Sequence, residues 1–361
     1  MVEEKDLSGP HWRNPVTVVV TGAAGHVGGN LVRALLARGR SVRALVHHDR
    51  RALENLDLEV IQGDICDLTF LRRAFVGAET VFHTAAYISL LKDDWPRLEQ
   101  VNIGGTRNVV QACLDCGVGR LVHFSSIHAL VQEPPELPVD ESRPLADFSW
   151  CLPYDRSKAG AEREVLCGIE RGLDAVILNP TAIIGPYDYK PSHFGEVLLA
   201  LAEGRLPALV DGGFDWVDVR DVVEGAIQAE ARAAFGPRYL LAGHWVSLRD
   251  IAAAVETITG SRAPRFVCPA ELALLAAPFI TALFQLLGKR PLFTSVSLEI
   301  ICNNRRVSHE RATRELGYSP RAFRETLEDT FRWFAQAGCL VRPLNIPYQE
   351  TTWTNRPSST V

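Results

Sequence analysis

The run VTVVVTGAAGHVGGNLVRALLARG, Val16 to Gly39, constrains the fold more than any other stretch of the chain. Val16 to Thr21 is β-branched throughout, the pattern of a strand buried on both faces. Gly22, Gly25 and Gly28 follow at once. A helical period then sets in, with apolar Val27, Leu31, Leu35 and Leu36 on one face and Gly39 as the stop. A strand that turns through glycines straight into an amphipathic helix is the opening unit of a parallel α/β sheet. Such a turn also leaves backbone N–H groups at a helix N-terminus, where a pyrophosphate can approach them. Glycine spacing alone is a weak signal; its place between a strand and a helix is what gives it meaning.

The alternation continues downstream. SVRALV, LEVIQGD, ETVFHTAA, RLVHFSS and DAVILNP read as the second to sixth strands, and helical stretches around 67–76, 94–116 and 153–171 separate the later ones. That order predicts a doubly wound parallel sheet covered by helices on both faces. After Pro180 the pattern turns mostly helical, over 193–204, 218–233, 247–259, 270–288 and 320–337, with RYLLAG and RFVCP as short strands. The expected organisation is a flexible N-terminus over 1–14 and a dinucleotide-binding domain over 15–180. A mainly helical substrate lobe follows over 181–338, with a return to the sheet near 238–242, and then a mobile polar tail over 339–361.

Composition narrows the function classes. The net charge of -5 comes without a basic stripe, so nucleic acid is not expected as a partner. Eight cysteines scattered through apolar segments suit the reduced thiols of a cytoplasmic protein. The CxxC of Cys113 and Cys116 falls inside a helical pattern with no second pair at zinc spacing, so no metal site is expected. MVEEKDLSGPHWRNP lacks an apolar core, so no secretory signal is expected. The apolar stretch from Ala270 to Lys289 approaches the ~20 residues of a membrane span but carries Glu271, Pro278 and Gln285. It reads as a core helix of the lobe, with a peripheral membrane contact through 270–288 as the alternative.

Two further features supply chemistry. At the end of the second strand, VRALVHHDRR sets Val46 and His47 where an NAD site places Asp or Glu, and Asp49 arrives late. Arg43, Arg50 and Arg51 stand nearby, and a guanidinium fork suits a 2′-phosphate. NADP(H) is therefore favoured, NAD(H) is the second candidate, and His47 and Arg50 are candidate contacts. About halfway along the chain, PYDRSKAGAE puts Tyr154 and Lys158 one helical turn apart. A free phenol titrates near about 10, too high for efficient proton exchange at neutrality, and a fixed ammonium is expected to lower it. Upstream, FSS ends the fifth strand at the carboxyl edge where parallel sheets bind ligands. Ser125 or Ser126 can there donate to a substrate oxygen as negative charge develops on it.

TGAAGHVG, GDI, HTAA, VNIGGT, FSS, YDRSK and NPTAIIGP, in this order, resemble the motifs of the extended short-chain dehydrogenase/reductase (NAD-dependent epimerase/dehydratase) superfamily over about residues 16–337. The resemblance implies a Rossmann-type doubly wound parallel sheet with a smaller, mostly helical C-terminal substrate lobe. It implies Ser126, Tyr154 and Lys158 as catalytic residues, with Ser126 preferred to Ser125. Cofactor contacts are implied from Gly22, Gly25, His26, Val27 and Gly28 at the turn, Asp64 and Ile65 at the adenine, and Ala85 and Ala86 beside the cofactor. Ser125 and Lys158 would add to these, and Pro180, Thr181 and Ile183 would pass near the nicotinamide. Asn102 would lie on the helix behind the site, and helices 94–116 and 153–171 would pair in a homodimer.

The segment from Asn179 to Ala226 looks most like the dihydroflavonol-reductase-like and 3β-hydroxysteroid-dehydrogenase-like branches. The expected substrate is then a ketone or secondary alcohol of a bulky apolar, steroid-, flavonoid- or lipid-like molecule. Asp218 and Asp221 in DWVDVRDVVEGA read as a helix cap and a tie. Two other readings stay open. A sugar-nucleotide epimerase or dehydratase with tightly held NAD would line its pocket with Arg or Lys. A cofactor-sensing binding protein would carry out no reaction.

Overall fold

The computed structural model describes residues 18–89, 94–277, 295–301 and 305–347. The expectations for residues 1–14, for 278–288 and for the tail from 348 onward fall outside them.

β1 (Val18–Thr21), β2 (Val42–Val46), β3 (Glu59–Gln62), β4 (Thr80–His83), β5 (Arg120–Phe124) and β6 (Ala175–Pro180) pair in parallel. The β-branched run reads as expected: Val18, Val19 and Val20 are wholly buried. α1 (His26–Ala37), α2 (Leu68–Ala74), α3 (Trp95–Leu98), α4 (Gly105–Cys116) and α5 (Pro153–Glu170) connect the strands. The 94–116 pattern is not one continuous α-helix, because a π-helical turn, Glu99–Gly104, joins α3 to α4. That turn carries Asn102, whose Oδ1 accepts from the Tyr87 N–H at 2.7 Å and whose Nδ2 donates to Ser157 Oγ at 3.0 Å. Asn102 thus ties the loop after β4 to α5.

The lobe holds β7 (Ala182–Ile184), α6 (His193–Ala202), β8 (Leu209–Val210), β9 (Gly213–Asp218), β11 (His244–Ser247), α8 (Leu248–Thr259) and β12 (Val267–Cys268), followed by α9 (270–277), α10 (Ser295–Ile301) and α12 (Phe323–Gln336). α7 (Val219–Arg232), read from its pattern as part of the lobe, packs instead on α1, and α11 (Glu310–Leu316) packs on α7. Val222, Val223 and Ala226 of α7 share the sheet's core with Leu31, Val32 and Leu35. β10 (Arg238–Leu241) pairs in parallel with β6, giving the seven-stranded order β10-β6-β5-β4-β1-β2-β3. Strand order reverses between β1 and β4, and this opens a crevice beyond their carboxyl ends.

The polar tail begins later than residue 339. Leu340 is buried, and the Asn345 N–H donates to Ile258 O at 2.7 Å. Sparse apolar residues hide this from periodicity, yet Leu344 and Ile346 pack on the lobe's core.

A buried ion network joins the sheet to the lobe. Asp218 caps α7 and receives Nε and Nη2 of Arg220 at 2.9 and 2.7 Å, while Arg220 Nη1 reaches Asp329 of α12 at 2.8 Å. Asp221 accepts from the backbone and guanidinium of Arg321. Arg220→Met would leave the Asp218 and Asp329 carboxylates buried without their shared cation. We expect it to cost about 3–5 kcal/mol in urea unfolding at pH 7; a cost below about 1 kcal/mol would show that the network does not brace the lobe.

Candidate active site

The crevice is lined first by the glycine turn. Gly22 has φ +67°, and a Cβ on it would stand 2.7 Å from Ala85 Cα. A Cβ on Gly28 would stand 2.2 Å from Gly22 O. Bare backbone therefore lets α1 start hard against β1 and the loop after β4. No side chain caps α1 at Gly25, and no acidic residue occupies its first turn. Its leading N–H groups and positive dipole end suit an anion, so the turn fits a pyrophosphate. His26 Nε2 stands 3.0 Å from Pro186 O, and Asn30 donates to the same carbonyl. Both staple the turn to the lobe, a role the sequence did not signal.

At the end of β5 the chain places two serines. Ser126 heads the short turn Ile127–Ala129, and its Oγ accepts from the His128 N–H at 3.2 Å. Ser125 Oγ is buried without a protein partner, as expected where a ligand supplies one. α5 starts at Pro153 and brings Tyr154 and Lys158 to the same edge, one turn apart. Lys158 is 3 % exposed, and its Nζ donates to Phe124 O at 3.0 Å.

These side chains open on one cavity of about 310 Å³. Of the residues singled out in the sequence, His26, Val27, Ala86, Ser125, Ser126, Tyr154, Lys158, Pro180, Thr181 and Ile183 line it. Ala85 lies behind Gly22. His47, Arg50, Asp64 and Ile65 form a separate group at the ends of β2 and β3, with His47 Nε2 3.8 Å from Asp64 Oδ2 and Arg50 donating to Gln62 Oε1 at 3.1 Å. Arg43 does not join them. It pairs with Glu59 at 2.7 Å and donates to Ala74 O, because cross-strand register sets it opposite that glutamate. Arg51 is held by Asp49, whose carboxyl it lowers to about 2.

The far wall was not read from the sequence. Phe194, Phe214 and Trp216 stack edge to face at 4.8–5.3 Å, with Val197, Leu248, Ile300 and Ile301 around them. Phe214 and Trp216 sit two apart on β9, and that alternation was the available signal. His128, Gln132 and His193 also line the cavity. Among the described lining residues only Lys158 is a lysine or arginine. Arg205 pairs with Glu203, Arg238 with buried Glu162, and Lys190 is exposed, none of them on the cavity.

The expected lowering of the phenol by Lys158 is corrected. Burial, and then the Asp155 carboxylate, push Tyr154 well above its ordinary value, with only a hydrogen bond to Ser126 pulling it down. Burial lowers Lys158 to about 8, and its hydrogen bond goes to the Phe124 carbonyl. Behind it, His83 bonds Thr21 Oγ1 at 2.7 Å and Thr106 Oγ1 at 3.1 Å, and its ring lies 5.3 Å from that of His123. Burial, then Lys158, lowers His83 to about 3, and burial holds His123 far below its usual value. Unfolded chains protonate these imidazoles near pH ~6.5 while the folded protein resists, so stability falls with pH across the window from about 6.5 to about 3. Urea midpoints should drop between pH 7.5 and 5; midpoints that rise would contradict this placement.

A sequence model of the NAD dependent epimerase/dehydratase family matches residues 18–241. The chain is 38% identical over 331 residues to sterol demethylase protein B of Methylococcus capsulatus, covering 90% of this chain and all of that one. It is 35% identical over 325 residues to a putative dihydroflavonol 4-reductase of Synechocystis, covering 88% of this chain and 94% of that one. The crystal structure of gox2253 superposes with a TM-score of 0.79 at 35% identity, over 90% of this chain and 99% of that one.

Proposed function

The chain belongs to the NAD dependent epimerase/dehydratase family, and from that premise we propose that it is an oxidoreductase passing hydride between nicotinamide and a ketone or secondary alcohol of a bulky apolar molecule. One observation carries the reading: Tyr154, Ser126 and Lys158 open on the same apolar-walled cavity as the first turn of α1 and the residues that follow β6.

Nicotinamide, when bound, supplies the hydride donor or acceptor. The protein's part is position and protons. Tyr154 exchanges a proton with the substrate oxygen, and Ser126 orients that oxygen by hydrogen bonding. Because burial keeps the phenol protonated, Tyr154 is equipped as a donor in the reducing direction. Lys158 binds the last carbonyl of β5, so it fixes α5, and Tyr154 with it, against the Ser126 turn, and its remaining protons serve a ribose hydroxyl. Unpartnered Ser125 Oγ is a second cofactor donor. Gly22, Gly25, His26, Val27 and Gly28 form the pyrophosphate cradle, Asp64 and Ile65 border the adenine, Ala85 and Ala86 lie beside the cofactor, and Pro180, Thr181 and Ile183 pass near the nicotinamide.

NADP(H) is the proposed cofactor. Asp49 is occupied by Arg51, while Arg50 donates to the neutral amide of Gln62 and can grip a 2′-phosphate with His47. Arg50→Ala should raise KM for NADPH about tenfold and leave KM for NADH nearly unmoved, as loss of one charge-assisted contact implies. Equal KM changes for both cofactors would point to NAD(H).

The aromatic wall and the names of the relatives, a sterol demethylase protein and a dihydroflavonol reductase, support the bulky apolar substrate. A nucleotide-sugar pocket needs cations for a diphosphate, and among the described lining residues Lys158 is the one lysine or arginine. The test is a panel of 3-oxosteroids, dihydroflavonols and UDP-sugars with NADPH and NADH. Turnover of apolar ketones is expected. Retained NAD with turnover of UDP-sugars alone would favour the epimerase reading, and binding without any turnover the sensor reading.

No helix among the described residues is long and apolar enough to cross a membrane. Leu272 and Leu275 of α9 are exposed, as is nearby Phe266, which supports a peripheral lipid contact, read by vesicle co-sedimentation. A homodimer through α4 and α5 is read by light scattering.

A further inference from the structure

The lobe's side of the cavity carries one imidazole among its aromatic and aliphatic groups. His193 is the first residue of α6 and lines the cavity beside Phe194, ring centroids 6.1 Å apart. The side chain is half-buried, and among the described residues no hydrogen bond or ion pair reaches its ring nitrogens. Burial lowers its pKa against the pull of Glu196, which lies exposed one turn on. The first turn of a helix disfavours a cation as well. At neutral pH the ring is therefore uncharged, with one N–H donor and one lone pair.

The other polar groups on that side are committed. Ser192 Oγ caps α6, accepting from the Gly195 N–H at 3.1 Å. Trp216 Nε1 donates to Val246 O at 3.3 Å. Thr181 Oγ1 and the Gly243 N–H both donate to Asp215 Oδ1, each at 2.7 Å, and an ionised carboxylate can only accept. An entirely apolar molecule laid on this wall would strip water from the imidazole and offer no partner in exchange, which is unfavourable for a polar group. A ligand with an oxygen at that point removes the penalty. Ser126 and Tyr154 line the cavity from the sheet's side, so the oxygen they serve is a different one.

We propose that His193 is a specificity-determining residue, whose N–H donates to a second oxygen of the substrate, remote from the carbonyl that meets Tyr154. The inference rests on the reading of the cavity as a site for bulky apolar ketones. It narrows that class to molecules oxygenated at both ends, and ketones of the same size whose remaining surface is hydrocarbon are poor ligands.

The test compares a saturated 3-oxosteroid with the same steroid carrying a second ketone on its far ring. Both are titrated calorimetrically into the enzyme with oxidised nicotinamide cofactor, which has no hydride to give, so binding is read without turnover. The diketone should bind about tenfold tighter, the worth of one hydrogen bond to an otherwise unpaired donor. His193→Phe keeps an aromatic surface and loses the donor, so the two affinities should come within about twofold of each other. His193→Gln keeps an N–H and should retain most of the preference. Thermal melting verifies folding, and the wild-type comparison decides even where a variant fails to fold. Equal wild-type affinities for the two steroids, or an undiminished preference in folded His193→Phe, would overturn the assignment. Binding of neither steroid would remove the apolar-ketone class and the inference with it. Reduction of both ketones by NADPH and NADH is followed in parallel. A preference without any reduction would sink the oxidoreductase reading and leave His193 standing; reduction without a preference would sink His193 alone.

Discussion

Tyr154→Phe should cut turnover of an accepted ketone about 10³-fold while leaving cofactor affinity and melting temperature close to wild type. The hydroxyl is the proposed proton donor to the substrate oxygen, and a positioned acid is worth about 10²–10⁴ in rate. The ring keeps its packing against His128, so loss of the oxygen alone is what the variant reports. Burial and Asp155 both oppose the phenolate. The phenol is therefore a reservoir that gives up its proton only to a developing oxyanion, and the loss should fall on kcat more than on KM. Steady-state kinetics decide it. Turnover within threefold of wild type would remove Tyr154 from the chemistry and leave the cavity without an identified acid.

Gly28→Ala should abolish cofactor binding at any practical concentration, a loss of 100-fold or more in affinity, and should destabilise the fold. The added Cβ would stand 2.2 Å from Gly22 O and 2.9 Å from Ala23 Cα. Both are backbone atoms of the turn and cannot swing aside as a side chain would. Either α1 tilts away from β1 or the turn opens, and both movements displace the N–H groups proposed to meet the pyrophosphate. Overpacking of this kind costs about 1–3 kcal/mol in stability, read by urea unfolding, with affinity read by fluorescence titration of the reduced cofactor. Gly39→Ala is the control. Its φ of +71° makes the substitution strained, yet a Cβ there meets nothing within 4 Å, so it should cost stability and spare binding. Equal losses of affinity in the two variants would mean that general destabilisation, not the cradle, governs binding.

The parts of the site that were legible in the sequence are those built by neighbours in the chain. The buried β-branched run, the glycine turn and the first helix are contiguous from Val18 to Ala37. Tyr154 and Lys158 share a face because a helix repeats every 3.6 residues. Ser125 and Ser126 reach the carboxyl edge because β5 ends just before them. What misled the reading was partner choice. Arg43 looked available for a phosphate, but strand register gave it Glu59. Lys158 looked committed to the phenol, but a carbonyl 34 residues upstream takes its hydrogen bond. Helix α7 was placed with the lobe because it follows Pro180, while its apolar face decides for the sheet.

By itself the sequence determined the order of elements, the glycine turn and the set of side chains proposed to react, since each depends on spacing within one strand, turn or helix. Tertiary structure alone decided the burial that raises the Tyr154 phenol and the aromatic wall across the cavity from it. Those properties come from desolvation and from contacts between segments far apart in the chain. A linear pattern records which groups a protein owns; the free energy of a buried charge or proton depends on which other segments close around it.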